Sequence, residues 1–349
     1  MQAALRWSAT VAVGAALGVA PALGQEPLQV YFVDVEGGQA TLIVAPSGQS
    51  LLIDSGYPGE RDAGRIAAAA TAAGLRQIDY HMVTHLHGDH LGGTPALAAR
   101  MPILNYVDVG APIDPGAATY QAYAGVRAGG RHILARPGER IPIDGLDVQI
   151  VTADGTALAE PLPGAGRPNP LCRDFTPLPP DGGEDARSVG VMIRHGSFSL
   201  VDLGDLTWNE EHDLACPENL LGTVDLYLAT RHGLNGAGLP ALVQALRPRV
   251  TVINNGATKG ASPEHFLTIR SSPGLEDIWQ LHYSLPRDGN RRLYETSRPG
   301  GPDLNTSEPH IANLDETTAH HLELTAHADG SFVLSNPRNG YTKEYPRRQ

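Results

Sequence analysis

The sequence has 349 residues, and its 41% hydrophobic content is enough for a large packed core. Its 38 acidic residues against 26 basic ones give a formal net charge of −12. Because nucleic-acid binding depends on Lys and Arg at phosphates, this balance argues against long nucleic acid as a partner.

The N-terminus predicts an export signal. Residues 1–24 contain one basic residue, Arg6, followed by a short apolar run rich in Ala and Gly. A secretory signal has this organisation, whereas a membrane anchor needs about 20 strongly apolar residues. We expect a cleaved signal peptide over 1–24, a single domain over 25–349, secretion or a periplasmic location, and no membrane span after cleavage.

The first part of that domain predicts strands followed by a helix. Apolar and β-branched segments separated by turn residues predict an antiparallel opening, with strands at 28–35, 40–45 and 51–56. An Ala-rich segment at 61–75 predicts a helix, and 78–84 predicts another buried strand.

The order of strands and helices then repeats. Residues 131–151 predict two or three strands, and a second unit alternates strands and helices, at 188–205, 208–215, 224–230, 239–246, 249–255 and 262–270. Two further strands are predicted near 321–326 and 331–335. Two β-rich halves that each add helices predict the α/β class (α+β by some schemes), as an αββα sandwich with a groove along one sheet edge.

Residues 154–187 are rich in Pro and Gly and show little periodicity. A loop of this length is either functional or disordered. It contains Cys172, and the other cysteine of the chain is Cys216. The two residues form either one disulfide or two unpaired thiols, and their spacing does not make a thiolate zinc site.

The segment THLHGDH, residues 84–90, follows the predicted strand at 78–84. In an extended segment, His85 and His87 share a face and can bind one ion. Asp89 and His90 fall at the predicted start of the next helix, where they can face a second ion. Imidazole and carboxylate together suit Zn²⁺ and, less selectively, Fe or Mn. The alternative is a polar loop with solvated histidines.

Two later residues also come directly after a predicted strand. Asp205 follows the apolar run of SLVDLGD, and His232 follows that of LYLATRHG. Strand ends in one sheet meet at one rim, so both side chains can reach the histidine cluster. Asp205 would bridge two ions and His232 would complete the second site. The alternatives are a turn-forming Asp and an exposed loop His.

With these residues the chain resembles the metallo-β-lactamase superfamily. THLHGDH matches the HxHxDH signature, and DLGD and ATRHG follow in the expected order, so the resemblance spans about 30–255. The opening DVEGGQATLIVAPSGQSLLIDSG is most similar to the metallohydrolase domain of bacterial DNA-uptake (competence) proteins.

The resemblance implies a metallo-β-lactamase sandwich of two mixed sheets flanked by helices, and it implies a role for each candidate residue. His85 and His87 would hold the first ion. The second ion would be held by Asp89, His90 and His232, with Asp205 as the bridge. Asp54 would support a ligand histidine from behind.

One position departs from the superfamily pattern. Another first-ion histidine usually lies about 20 residues before the bridging aspartate, and here that count reaches Asp185. Either Asp185 or Glu184 substitutes, or water takes the place, or the first site binds weakly.

The metal site predicts an exported metal-dependent hydrolase that uses a metal-activated hydroxide, with two Zn²⁺ ions expected. Asp89 would also orient the nucleophile, and Asn235, Asn255 and Lys259 are candidate substrate contacts because each lies past a strand end. The substrate would be a small ester, lactone, amide or phosphodiester. A zinc β-lactamase and a non-catalytic metal- or partner-binding protein are the alternatives. The oligomeric state is left open.

Overall fold

The computed structural model describes residues 26–284 and 304–348, and the predicted signal peptide lies outside them. The strands in this part of the chain are β1 (Leu28–Phe32), β2 (Thr41–Val44), β3 (Ser50–Ile53), β4 (Ile78–Met82), β5 (Ile103–Asp108), β6 (Arg131–Leu134), β7 (Arg140–Ile141), β8 (Asp147–Ala153), β9 (Thr156–Ala157), β10 (Arg167–Pro168), β11 (Gly190–His195), β12 (Phe198–Asp202), β13 (Glu218–Asn219), β14 (Leu226–Leu228), β15 (Val250–Ile253), β16 (Asp277–His282), β17 (Ile311–Asn313), β18 (Leu322–Ala326), β19 (Phe332–Asn336) and β20 (Tyr341–Tyr345).

The described residues form fewer helices than strands. The α-helices of the described residues are α1 (Glu60–Ala72), α2 (Gly88–Leu91), α3 (Thr94–Ala98), α4 (Ala118–Arg127), α5 (Trp208–Ala215), α6 (Pro240–Leu246) and α7 (Pro263–Arg270). Short 3-10 turns lie at Pro170–Asp174, Asp185–Arg187, Thr230–Gly233 and Glu308–His310. None of the helices in the described ranges is long and apolar enough to cross a membrane.

Two large mixed sheets organise the molecule. The strand order of the first sheet is β20-β19-β18-β1-β2-β3-β4-β5-β6. The order of the second is β17-β16-β15-β14-β12-β11-β8-β7, with β9 paired to β8. Helices flank these sheets, so the predicted αββα sandwich of two mixed sheets is confirmed.

Apolar side chains join the layers. One cluster lies between the sheets, where the rings of Phe198 on β12 and Phe332 on β19 have centroids 5.3 Å apart. A second cluster packs the helices α5, α6 and α7 against the second sheet, and it includes Tyr227, Leu242 and Phe266. Strands buried on both faces read as continuous apolar runs, as β2 and β15 do.

The parallel strands direct their carboxyl ends to one rim. In the first sheet β3 and β4 are parallel, and in the second sheet β12, β14 and β15 are parallel. The candidate residues of the sequence follow these strand ends: Asp54 after β3, THLHGDH after β4, Asp205 after β12 and His232 after β14. The topology therefore places the candidate ligands at the rim, where open α/β sheets bind ligands.

Some elements differ from the sequence-based expectation. Helix α4 and the strands β16, β17 and β20 were not predicted. The α4 helix buries only Tyr123, and β20 alternates exposed and half-buried residues at a sheet edge, so neither carries a strong apolar period. His195, which ends β11, is 1% exposed and hydrogen-bonds the Gly145 carbonyl.

The Pro- and Gly-rich segment 154–187 is fastened to α5. Cys172 and Cys216 form a disulfide with Cα atoms 5.6 Å apart. Farther along the segment, the Leu178 backbone N–H donates to the Asn209 amide oxygen at 3.0 Å, and the Asn209 Nδ2 donates back to the Leu178 carbonyl at 2.9 Å. The segment then leads directly to Asp185, so its attachment fixes the start of the 3-10 turn that carries this residue.

We expect the paired substitution Cys172→Ser and Cys216→Ser to lower the free energy of unfolding by about 4 kcal/mol, because the bridge closes a 44-residue separation and restricts the unfolded chain. Urea unfolding without reductant measures the loss. Under reductant the wild type should approach the variant. A loss below about 1 kcal/mol would contradict the role of the bridge.

Candidate metal centre

The first group of candidate ligands contains His85, His87 and Asp185. The two histidines lie between β4 and α2, and Asp185 begins a 3-10 turn. The Asp185 Oδ1 is 2.8 Å from the His87 Nδ1 and 3.3 Å from the His85 Nε2. All three donor atoms lie within 4.8 Å of one another, which is close enough for a single ion to contact them together.

The second group contains Asp89, His90 and His232. Asp89 and His90 lie in the first turn of α2, as predicted, and His232 lies in the 3-10 turn after β14. The Asp89 Oδ2 is 3.4 Å from the His90 Nε2 and 3.6 Å from the His232 Nε2. These donor atoms also lie within 4.8 Å of one another.

Asp205 lies between the two groups. Its Oδ1 is 3.5 Å from the His90 Nε2, and its Oδ2 is 3.3 Å from the His232 Nε2. It also forms a candidate ligand set with His85 and His90. The geometry therefore brings together all seven residues that the sequence nominated, with Asp205 in the position of a bridge.

Several buried nitrogen and oxygen atoms of the candidate ligands have no hydrogen-bond partner in the described residues. The Nε2 atoms of His90 and His232 and the Oδ1 of Asp205 have no hydrogen-bond partner among the described residues. Leaving a buried polar atom unsatisfied is costly, and a divalent cation would satisfy all three. Imidazole nitrogens and carboxylate oxygens are the donors that Zn²⁺ accepts. The residues thus fit two ions, and metal binding stays a prediction.

The charges of the centre favour a cation. Burial would raise the pKa of Asp205, but the neighbouring imidazoles of His232 and His90 hold it well below its usual value. Burial would lower the pKa of His90, but the carboxylates of Asp205, Asp89 and Asp54 raise it well above its usual value. The carboxylates that favour a proton on His90 would equally favour a divalent ion beside it.

Asp54 supports this arrangement from behind. Its Oδ2 is 2.7 Å from the His90 Nδ1, and it accepts hydrogen bonds from the backbone N–H and the hydroxyl of Thr84 at 2.8 and 2.7 Å. Holding Nδ1 fixes the ring so that Nε2 faces the centre. This geometry matches the supporting role implied by the sequence resemblance.

Strained backbone conformations occur around the same ligands. Asp54, Arg231 and His232 have φ values of 59°, 56° and 54°, a region that non-glycine residues rarely adopt. At Gly204, where φ is 57°, a Cβ would come within 2.6 Å of the Thr84 side chain. Such strain persists only where the surrounding structure fixes it, and it collects at functional sites.

The candidate substrate contacts have different environments. The ammonium of Lys259 pairs with the Asp89 carboxylate and lies 5.8 Å from the Tyr57 ring centroid, with 31% of its side chain exposed. Asn235 is half-buried, and its amide oxygen has no hydrogen-bond partner in the described chain. Both side chains lie on segments next to candidate ligands.

Asn255 lies inside the protein, and its role as a substrate contact stays a prediction. Its side chain is fully buried, and its Nδ2 donates to the Gly256 carbonyl at 3.0 Å and the His282 carbonyl at 2.8 Å. Both amide hydrogens are therefore used inside the protein, where they connect the end of β15 to β16.

Asp185 and Glu184 were both proposed to replace the first-ion histidine that this chain lacks, and the structure distinguishes between them. Glu184 turns away, and its carboxylate accepts the Ile113 N–H at 2.5 Å and pairs with Arg187. Asp185 faces the histidines instead. Sequence reasoning missed Arg231, whose Nη2 lies 2.6 Å from the Asp185 Oδ2. The sequence did carry a signal. A carboxylate at residue 185 adds a negative charge that a neutral histidine would not, so a basic partner was to be expected.

A further acidic cluster contains Asp34, Glu36 and His282. The Arg65 guanidinium lies 2.9 Å from Asp34 and 3.3 Å from Glu36, while the His282 Nε2 is 2.8 Å from Asp34. Because Arg65 and His282 already pair with these carboxylates, we interpret the cluster as an internal ion-pair network.

Comparison with known proteins agrees with this geometry. The family model described as "Metallo-beta-lactamase superfamily" matches residues 33–167, which include THLHGDH. A hydroxyacylglutathione hydrolase of Stenotrophomonas maltophilia is 35% identical over 103 residues, which are 28% of this chain and 37% of that protein.

Among solved structures, the metallo-beta-lactamase fold protein YhfI of Bacillus subtilis is 12% identical with a TM-score of 0.39, over 65% of this chain and 85% of that one. A structure from Parabacteroides distasonis is 15% identical with a TM-score of 0.41, over 74% and 94% of the respective chains. The family-model match shows similarity to the metallo-β-lactamase superfamily over residues 33–167, and the chain has the two mixed sheets flanked by helices that this similarity implies. The resemblance to the competence-protein branch stays a prediction.

We expect Asp54→Asn to weaken metal binding about 10- to 100-fold, because the amide no longer fixes the His90 ring as the carboxylate does. Competition titration against a chromophoric chelator measures the affinity. Asp108→Asn is the matched control, since Asp108 is also a buried strand-end carboxylate that holds a histidine, His132, at 2.8 Å. Equal affinities in wild type and Asp54→Asn would refute the supporting role.

Proposed function

We propose that this protein is a metal-dependent hydrolase with a two-ion centre that cleaves a small acyl compound, such as an ester, thioester or lactone. The observation that carries the proposal is the pair of ligand groups that share Asp205, each made of two histidines and one further carboxylate. The relative from Stenotrophomonas maltophilia is a hydroxyacylglutathione hydrolase, and this similarity supports an acyl compound as the substrate.

Divalent ions bound here would activate water and stabilise the negative charge that develops during hydrolysis. The protein's own residues would set the geometry. Asp205 lies beside His90 and His232 of the second group. It also forms a candidate ligand set with His85 of the first group, so it would serve as a ligand for both ion positions. The Asp89 carboxylate, beside His90 and His232, would orient the attacking water.

Lys259 is the candidate contact for the substrate's polar group. Burial would lower the pKa of this ammonium, but the nearby Asp89 raises it, so Lys259 carries a positive charge at neutral pH. Its side chain is partly exposed beside the ligands. An ammonium in this position can attract an anionic oxygen of the substrate.

We also propose that the ions are zinc and that the protein acts after export. Histidine-rich donor sets suit zinc, although iron and manganese accept the same atoms. The disulfide between Cys172 and Cys216 supports an oxidising compartment, such as the periplasm or the cell exterior. The apolar segment within residues 1–24 supports a signal peptide.

The test is turnover by the zinc-loaded protein on a panel of a hydroxyacyl thioester, an aryl ester, a lactone, a bis-nitrophenyl phosphate and a chromogenic cephalosporin. We expect acyl substrates to be cleaved, and Asp205→Asn to lower kcat/KM at least about 100-fold because the shared ligand is lost. Asp225→Asn is the control, since this buried carboxylate contacts Ser199 away from the centre.

Each other outcome has a defined meaning. If only the phosphodiester or only the cephalosporin is cleaved, the proposed acyl substrate is wrong and the cleaved compound defines the substrate class. Absence of turnover with zinc, iron or manganese would leave a metal-binding protein without hydrolase activity. Equal losses in Asp205→Asn and Asp225→Asn would show that the loss is not specific to the centre.

A further inference from the structure

The two oxygens of the Asp185 carboxylate have different partners. Oδ1 faces the two histidines of the first ligand group, at 2.8 Å from His87 and 3.3 Å from His85. Oδ2 faces the Arg231 guanidinium, whose Nη2 is 2.6 Å away. One oxygen is thus presented to the metal position while the other is held by a basic side chain.

The charge of the first ligand group makes such a partner necessary. A carboxylate at residue 185 adds a negative charge where a neutral histidine would add none. Asp185 and Asp205 are 7% and 5% exposed, so water gives little relief from their mutual repulsion. A buried carboxylate without a counter-charge is costly. Arg231 supplies that charge, and Lys259 contacts Asp89 in the second group in the same manner.

The backbone around Arg231 fixes its direction. Arg231 and His232 are consecutive left-handed residues, with φ of 56° and 54°. The Arg231 N–H donates to the Gly204 carbonyl at 2.9 Å, and its Nη1 donates to the Asn235 carbonyl at 3.5 Å. The same strained turn therefore points His232 into the second ligand group and Arg231 at the carboxylate of the first.

We propose that Arg231 is a positioning residue that makes Asp185 a ligand of the first ion, by holding its Oδ2 and offsetting its charge. The inference rests on the proposed two-ion centre and deepens it. The planar guanidinium suits this task because it keeps its charge when partly buried and presents its N–H groups in a fixed geometry.

The test is a competition titration of zinc against a chromophoric chelator, which resolves two binding steps in the wild type. The step that disappears in Asp185→Asn is assigned to the first ion. In Arg231→Gln we expect this step to weaken about 10- to 100-fold and the other step to stay unchanged. The matched control is Arg187→Gln, because Arg187 pairs with Asp154 and Glu184 close to the same turn.

The background Asp185→His separates positioning from general structural support. A neutral imidazole needs no counter-charge, so Arg231→Gln should cost nothing further there. An equal loss in both backgrounds, loss of both binding steps, or no loss would overturn the proposal.

Melting temperatures check the fold of each variant. If Arg231→Gln does not fold, Arg231→Lys takes its place. A smaller loss at the first step is then expected, and an unchanged first step or an equal loss at both steps overturns the proposal.

Different results would overturn the two-ion centre and the role of Arg231. A folded wild type that binds no zinc would overturn the two-ion centre itself. A wild type that binds two ions, together with an Arg231→Gln variant that binds them equally well, would overturn only the role of Arg231.

Discussion

The rest of the structure depends on the burial of several carboxylates in one place. Asp185 and Asp205 are at most 7% exposed, and Asp54 behind them is fully buried. Carboxylates so placed repel one another and lose hydration, so nearby positive charge stabilises this part of the fold. Arg231 and Lys259 supply charge at the periphery of the centre. The interior imidazole and carboxylate atoms remain for divalent ions.

The fold meets this constraint by joining two sheets at a common rim. The Val189 N–H donates to the Thr84 carbonyl at 2.6 Å, which ties the second sheet to the segment that carries the histidines. The Gln39 side chain donates to Asp202 at 2.7 Å and ties the opening turn to the end of β12. Because the disulfide and α5 also hold the segment that leads to Asp185, ligands far apart in sequence are fixed by packed elements rather than by free loops.

Sequence reasoning recovered most of the ligand set because spacing and strand ends carry that information. The spacing in THLHGDH predicted a segment that leaves a strand and enters a helix. In the structure residues 84–87 form bends after β4, and α2 begins at Gly88. The sequence signalled that Asp185 needs a basic partner but not which residue supplies it, because the contact with Arg231 depends on tertiary structure. Arg231 was therefore missed, and Asp185 was only one of several alternatives. Helix α4 buries only Tyr123 and edge strand β20 only Tyr345, so each has a short apolar pattern. The hydrogen bonds of Asn255 to the chain near β16 depend on tertiary contacts that the sequence does not reveal.

The most direct test of the central claim is an anomalous-difference map from crystals of the zinc-loaded protein, collected at the zinc absorption edge. The account predicts two peaks, one between His85, His87 and Asp185 and the other between Asp89, His90 and His232, with Asp205 in contact with both. A single peak with Asp205 outside its contacts, or no peak at this rim, would contradict the two-ion centre.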